Sequence, residues 1–126
     1  MLEMRRILVV DPNEAVRTGR KLALERLGHE VTVAKSGDEA SELLEGEEDL
    51  DFDIVLAEND MACMTGLGLL RRIRENDEKY KALKFGLMGT RTTSEGQDLA
   101  EVCTSLHAAF FQKGFLSLRE IVAVLL

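Results

Sequence analysis

Three side chains suited to acid–base or phosphate chemistry directly follow apolar runs in the sequence. Asp11 follows RILVV, Glu58 follows DIVLA, and Lys113 follows AAFFQ. The carboxyl ends of parallel strands meet at one edge of an α/β sheet, where such proteins bind their ligands. We therefore expect two carboxylates and one ammonium group, contributed by three strand ends, to share one small pocket.

The turn after the first apolar run argues against the nucleotide- and flavin-binding enzymes of similar architecture. A bound phosphate needs a turn rich in glycine, serine or threonine, in which backbone N–H groups face the anion. The segment DPNEAVR offers a carboxylate and a proline instead. The motifs GxGxxG, GxxxxGK(S/T) and GxSxG are absent from the sequence. We therefore expect no catalytic residues and no enzyme activity.

Composition restricts the class of protein and its partners. The chain has 126 residues, of which 45% are hydrophobic, and a net charge of −7. This is enough for one domain with a core, whereas the negative charge opposes direct binding of nucleic acid. With no apolar run of membrane-spanning length and no signal-peptide pattern, we expect a cytoplasmic protein. The acidic run EGEEDLDFD (45–53) is expected to be a solvated loop.

Strand signals alternate with helix signals along the chain. Strands are predicted at residues 6–10, 30–34, 53–57, 84–88 and 108–112. Helix starts are predicted after Asn13, at the capping boxes SGDE (36–39), SEGQ (94–97) and SLRE (117–120), and at Leu67. This alternation, with short connections, predicts a parallel sheet with helices on both faces.

Four segments together resemble the receiver domains of two-component response regulators. They are ILVVDPNEAVR, LGHEVTVAKSGDEAS, DIVLAENDMACMTGLGLL and AAFFQKGF, and the likeness covers nearly the whole chain. The resemblance implies a flavodoxin-like, CheY-like sheet of five parallel strands in the order 2-1-3-4-5. We expect a single receiver-like domain over residues 1–126, and excision from a longer multidomain protein is left open.

The resemblance also implies a phosphoryl-transfer site. In the family, an aspartate at the end of the third strand takes a phosphoryl group from a kinase histidine, with Mg²⁺ held by nearby acidic residues. Asp11 matches an acidic position and Lys113 matches the family's lysine, whereas Glu58 stands at the phosphoacceptor position. Asp60 falls at the position where, in the family, a backbone carbonyl oxygen binds the metal ion. Asp11, Glu58 and Asp60 are thus the candidate ligands of a weak or absent Mg²⁺ site.

Several positions depart from the family pattern. Pro12 replaces a second carboxylate and weakens any Mg²⁺ site. The switch hydroxyl falls on Gly89 or Thr90, of which Gly89 is the better match in register. Phe110 matches the aromatic residue that couples the site to the output face, although packing in the core would explain it equally well. Glu58 itself carries its carboxylate one methylene further out than an aspartate does.

These departures leave three hypotheses for the function. The first is a pseudo-receiver, a protein-interaction module that works without phosphorylation, with Glu58 paired to Lys113. The second is a working phosphoacceptor that uses Glu58 and Mg²⁺, with Asp11 and Thr90 assisting. The third is a redox or small-molecule sensor that uses Cys63 in the loop beside the pocket.

The resemblance names a surface for partners. Receivers signal through the face formed by the fourth helix, fifth strand and fifth helix, so a histidine kinase, an output domain or another protein is expected to bind there. No membrane is expected as a partner. Homodimerisation is left open.

Overall fold

The computed structural model describes residues 3–46 and 51–126, without the side chains of residues 77 and 78. The centre of the acidic run, residues 47–50, lies outside this part. The strands are β1 (Arg6–Val10), β2 (Glu30–Ala34), β3 (Ile54–Glu58), β4 (Lys84–Gly89), β5 (Thr93–Ser94), β6 (Gln97–Asp98) and β7 (Ala109–Gln112). The helices are α1 (Glu14–Arg26), α2 (Gly37–Glu45), α3 (Gly66–Arg74), α4 (Asp77–Tyr80), α5 (Leu99–Ser105) and α6 (Leu118–Leu125).

The long strands of the described residues form one parallel sheet in the order β2-β1-β3-β4-β7. Since β7 is the fifth long strand, this is the predicted order 2-1-3-4-5, and the fold class is confirmed. The strands are continuous apolar runs because helices cover both faces of the sheet. In β1, Ile7 and Val9 pack in the cluster with α1 and α6, whereas Leu8 and Val10 pack in the cluster with α2, α3 and α5.

Gly86 lies inside β4, where a glycine ordinarily weakens a strand. A Cβ at this position would lie 2.8 Å from Cδ2 of Leu56 and 3.1 Å from Cδ1 of Leu125. The glycine therefore allows β3 and α6 to pack closely against the strand. The strand continues as far as Gly89, one residue beyond the predicted end.

The predicted capping box at SEGQ (94–97) is wrong. These residues belong to a short hairpin, in which β5 pairs with β6 around a turn at Glu95 and Gly96. Both turn residues have positive φ, 51° and 77°, as two-residue hairpin turns require. Asp98 is the helix cap instead, since its Oδ1 accepts a hydrogen bond from the N–H of Glu101 at 3.1 Å.

The surface of α1 is mixed in burial. Leu24 is fully buried, whereas Gly19 is exposed. Arg17 and Arg20 occupy the half-buried surface toward the helix start. The helix therefore places two cations, rather than an apolar stripe, beside the carboxyl edge of the sheet.

Candidate functional site at the carboxyl edge of the sheet

Glu58 is the last residue of β3, and its side chain is almost completely buried. Its Oε2 lies 2.5 Å from Nζ of Lys113, which is about one-third exposed. Its Oε1 accepts a hydrogen bond from the N–H of Asp60 at 3.3 Å. Both carboxylate oxygens therefore face positive groups of the protein itself.

The contact between Glu58 and Lys113 is an ion pair rather than a well-aligned hydrogen bond. Oε2 is fully buried and, within the described residues, accepts no hydrogen bond of good geometry, although the ammonium group lies at ion-pair distance. A buried carboxylate is stable only when a cation compensates it. The charge of Glu58 therefore depends on Lys113.

Lys113 reaches Glu58 across the end of β4, which separates β3 from β7 in the sheet. Its backbone N–H donates to the carbonyl of Gly89 at 2.9 Å, so the lysine is anchored to that strand. Gly114 follows with φ of +95°, a conformation that favours glycine. The chain thus turns away at Gly114 while the lysine side chain stays at the pocket.

Asp11, just after β1, is also buried, and both of its oxygens are occupied. Oδ1 accepts a hydrogen bond from the N–H of Asn13 at 2.8 Å. Oδ2 accepts one from Nη1 of Arg20 at 3.1 Å, and the side chains of this pair are only 3% and 12% exposed. Asp11 and Arg20 therefore form a buried, charge-assisted pair.

A second arginine of α1 fixes the turn that carries Asp11. Nη1 of Arg17 donates to the carbonyl of Asp11 at 2.9 Å and to that of Pro12 at 3.1 Å. The sequence predictions missed both Arg17 and Arg20. Their spacing of three residues places them on one helix face, but spacing does not show that this face meets the turn at Asp11.

These contacts change the expected charge of the site. Asp11, Glu58 and Lys113 alone give a formal charge of −1, and Arg20 brings the sum to zero. Asp60 contributes little, because its half-exposed carboxylate pairs with Arg91 at 3.4 Å on the rim. Each buried carboxylate of the site has a cation of its own.

The loop after β3 is held by close backbone contacts. Oδ1 of Asn59 accepts a hydrogen bond from the N–H of Leu67 at 3.0 Å, and its carbonyl accepts one from the N–H of Gly66 at 3.1 Å. A Cβ at Gly66 would lie 2.5 Å from the carbonyl oxygen of Glu58. The glycine that ends the MACMTG segment is thus required for the loop to return against the strand.

The donor set does not fit Mg²⁺. This ion prefers six oxygen ligands at about 2.0–2.1 Å in octahedral geometry. The oxygens of Asp11 and Glu58 are already engaged, and Pro12 supplies no carboxylate. The described part of the chain contains no group of three or more His, Cys, Asp or Glu side chains placed to hold a metal.

The three candidate switch residues lie beside the pocket in different environments. Gly89 is buried, Thr90 is exposed and Phe110 is half-buried. A Cβ at Gly89 would lie 3.4 Å from Cε1 of Phe110, so the ring rests against the face where a side chain would stand. The carbonyl of Thr90 accepts a hydrogen bond from Nε2 of Gln112 at 3.1 Å.

The two thiols occupy different environments. Cys103 lies on α5 and is buried in the hydrophobic core. Burial raises the pKa of its thiol to about 11, so this thiol is unreactive. Cys63 is exposed in the loop after β3 and has a φ of 68°. Nothing in its surroundings distinguishes it as a reactive centre.

The fold and the site together define a class of protein. The doubly wound parallel sheet gathers acidic residues from the first and third strands and a lysine from the last strand at one edge, as in the receivers of response regulators. The profile of the response regulator receiver domain matches residues 7–123. The chain belongs to this family and is a receiver domain of two-component signalling.

Two relatives are longer proteins than this chain. The chain is 38% identical over 101 residues to the CAI-1 autoinducer sensor kinase/phosphatase CqsS of Vibrio cholerae, a match that covers 80% of the chain and 14% of CqsS. It is 31% identical over 75 residues to the transcriptional regulatory protein AfsQ1 of Streptomyces coelicolor, covering 60% of the chain and 32% of AfsQ1. The chain therefore spans a minor part of each relative.

Solved structures show the same fold. The chemotaxis protein CheY4 of Vibrio cholerae matches with a TM-score of 0.80 and 24% identity, covering 98% of this chain and all of CheY4. The response regulator TrrA of Thermotoga maritima, solved with Mg²⁺ and BeF, matches with a TM-score of 0.75 and 27% identity, again over 98% and 100% of the chains.

Among the described residues, no helix has the length and apolarity needed to cross a membrane.

Proposed function

We propose that this receiver domain is a phosphorylation-independent interaction module, a pseudo-receiver, in which the Glu58–Lys113 pair holds the site in one state. The observation that carries the proposal is the 2.5 Å contact between Oε2 of Glu58 and Nζ of Lys113 at a nearly fully buried carboxylate. In this role the domain is not an enzyme. Residues 1–126 act as one receiver-like unit.

The state of the Glu58 carboxylate supports the proposal. An acceptor oxygen must be free to attack a phosphoryl donor in line, but each oxygen of Glu58 already faces an ammonium group or a backbone N–H. The extra methylene also moves the carboxylate by more than about 1 Å relative to an aspartate, and misplacement on this scale costs on the order of 10²-fold in rate. In the proposal, this extra length lets the carboxylate partly imitate a phosphorylated aspartate facing the lysine.

The residues around the acceptor position support the same reading. Gly89 offers no hydroxyl to follow a phosphoryl group, and the exposed Thr90 follows the strand rather than ending it. The ring of Phe110 packs on the side of Gly89 where a side chain would stand. The ring of Phe110 therefore packs against the end of β4, and Gly89 has no hydroxyl whose movement would change this packing.

Receiver domains interact with kinases and with output domains. We propose that partners of this domain bind the face of α5, β7 and α6, which correspond to the family's fourth helix, fifth strand and fifth helix. Four large apolar side chains are exposed in the loop before α6, on α6 and just after it: Phe115, Leu116, Val124 and Leu126. A protein partner, either a kinase or an output domain, binds this face in the proposal. Self-association through it would give a homodimer.

The proposal is tested by incubating the protein with acetyl phosphate and Mg²⁺ and measuring the intact mass. The wild-type protein is expected to gain no phosphoryl group. The variant Glu58→Asp is the matched comparison, because it shortens the side chain and releases Lys113 without changing the charge. A stoichiometric gain by the wild-type protein, mapped by peptide mass to Glu58 or Asp60, would establish a working phosphoacceptor and refute the proposal.

A further inference from the structure

We infer that Arg20 is a built-in counter-ion that takes the electrostatic place of a divalent metal ion at Asp11. The inference concerns a residue outside the acceptor position, and it holds whether or not Glu58 accepts a phosphoryl group. It assigns a role to an arginine of α1 that the family resemblance does not assign. The domain then opposes Mg²⁺ with a competing cation, in addition to lacking the carboxylate that Pro12 replaces.

Burial makes Asp11 dependent on a cation. The aspartate is 2% exposed, and among the described residues Arg20 is the one cation that forms an ion pair with it. The neighbouring cations have other partners, since Arg17 donates to the carbonyls of the turn and Lys113 lies against Glu58. A buried carboxylate without its cation is strongly unfavourable, so Arg20 is the group that compensates Asp11.

Each carboxylate oxygen of Asp11 already accepts a hydrogen bond, one of them from a cation. Oδ1 is held by the N–H of Asn13 at 2.8 Å and Oδ2 by Nη1 of Arg20 at 3.1 Å. A metal ion would have to approach this carboxylate against the positive charge of Arg20 and give up part of its own hydration, which Mg²⁺ does reluctantly. The competitor is attached to the same chain, so its effective concentration is far above that of the free ion.

The beginning of α1 fixes both members of the pair. Asn13 is the helix cap, because its Oδ1 accepts a hydrogen bond from the N–H of Val16 at 3.1 Å, and its own N–H donates to Asp11. Arg20 lies two turns further along the same helix and reaches back to the same carboxylate. A single element therefore orients the carboxylate and supplies its counter-ion.

The test is a comparison of thermal unfolding in EDTA and in millimolar Mg²⁺, without any phosphodonor. We expect the wild-type protein to be indifferent to Mg²⁺ and Arg20→Gln to be stabilised by it. At a Mg²⁺ concentration ten times the Kd, the ratio of folded to unfolded Arg20→Gln should rise about 10-fold. Arg17→Gln is the matched control, since Arg17 touches carbonyls of the turn and not the carboxylate; it should gain nothing.

The double variant Asp11→Asn, Arg20→Gln identifies the ligand, because it removes the carboxylate along with its counter-ion. Its expected response to Mg²⁺ is none. If Arg20→Gln does not fold in EDTA, circular dichroism replaces the melting curve: Mg²⁺ should restore the helical signal of Arg20→Gln, while the double variant folds without it. An unresponsive Arg20→Gln, or a wild-type protein stabilised to the same extent, would overturn the inference. Since the assay contains no phosphodonor, its outcome is separate from that of the mass measurement on Glu58.

Discussion

At the scale of single residues, the site is governed by the pairing of each buried carboxylate with a cation. Glu58 has Lys113 and Asp11 has Arg20. Such pairs contribute little net stability compared with an apolar replacement, but removal of one partner leaves a buried charge uncompensated. The site is therefore a set of mutually dependent charges in which single substitutions have larger effects than double ones.

The pair of Glu58 and Lys113 gives a prediction at this scale. Lys113→Met should lower the free energy of unfolding by about 1–3 kcal/mol, less than for a fully buried pair because the lysine is partly exposed. The double variant Glu58→Gln, Lys113→Met should recover most of that loss, since no buried charge remains. Urea unfolding of the wild type, both single variants and the double variant measures the coupling. Equal and additive losses would mean that the contact carries no interaction energy.

At the scale of elements, one arginine side chain connects several segments at the edge of the sheet opposite the site. Arg74, in the last turn of α3, donates to the carbonyls of Tyr80, Leu83, Leu106 and His107 at 2.8–3.2 Å. This one guanidinium joins α3 to the segments before β4 and before β7. Its planar fork of donors suits several carbonyls at once, which a lysine cannot match.

We therefore expect Arg74→Lys to lower the free energy of unfolding by about 2–4 kcal/mol, because several charged hydrogen bonds are lost together. Arg72→Lys on the same helix is the matched control. Arg72 pairs with Glu45 at the surface, with both side chains about half exposed, and its replacement should change stability by less than about 1 kcal/mol. Chemical unfolding of both variants decides the matter. Similar small effects would show that the four carbonyls do not depend on Arg74.

His29, at the junction of α1 and β2, makes a second prediction at this scale. The side chain is buried, and its Nδ1 accepts a hydrogen bond from the N–H of Arg5 at 3.1 Å. Burial, and then the charge of Arg5, lower its pKa below the ordinary value of 6.5. As the pH falls, His29 is therefore protonated in the unfolded chain before it is protonated in the folded protein. The folded state loses stability below about pH 6.5 for this reason.

The measurement is the free energy of unfolding between pH 8 and pH 5. Over the lower half of this range the wild type should lose up to about 1.4 kcal/mol per pH unit on account of His29. His29→Asn keeps an acceptor for Arg5 and does not titrate, so its curve should be flatter below about pH 6.5. Parallel curves for the two proteins would show that His29 does not titrate differently in the folded and unfolded states.

At the scale of the whole molecule, the sequence predicted the layers from apolar periodicity and turn chemistry, and the strand order from the resemblance to receiver domains. Glu58 and Lys113 were also predicted to meet, since both follow strands of one parallel sheet. The hairpin over residues 93–98 was missed because the hydrogen bonds of a turn at Glu95 and Gly96 outweigh a local capping pattern. Arg20 was missed because its contact with Asp11 depends on the rotation of α1 relative to the sheet, which spacing alone does not give.

The neutral site also has a consequence for the molecule as a whole. If the Glu58–Lys113 pair holds the site in one state, as proposed, the face of α5, β7 and α6 is presented continuously to a partner. Phosphodonor and metal ion should then leave the distribution of conformations unchanged. A ligand shifts an equilibrium only by its differential affinity for the two states, and the proposed function gives neither ligand such a preference.

The most direct test is the amide spectrum of the wild-type protein, recorded by nuclear magnetic resonance in EDTA and again with acetyl phosphate and Mg²⁺. The two spectra should superimpose, both at the loop after Glu58 and on the face of α5, β7 and α6. Glu58→Asp shows what the same reagents do to an aspartate at this position. Shifts in the wild-type spectrum that begin at Glu58 and extend to α5 and α6 would contradict the account.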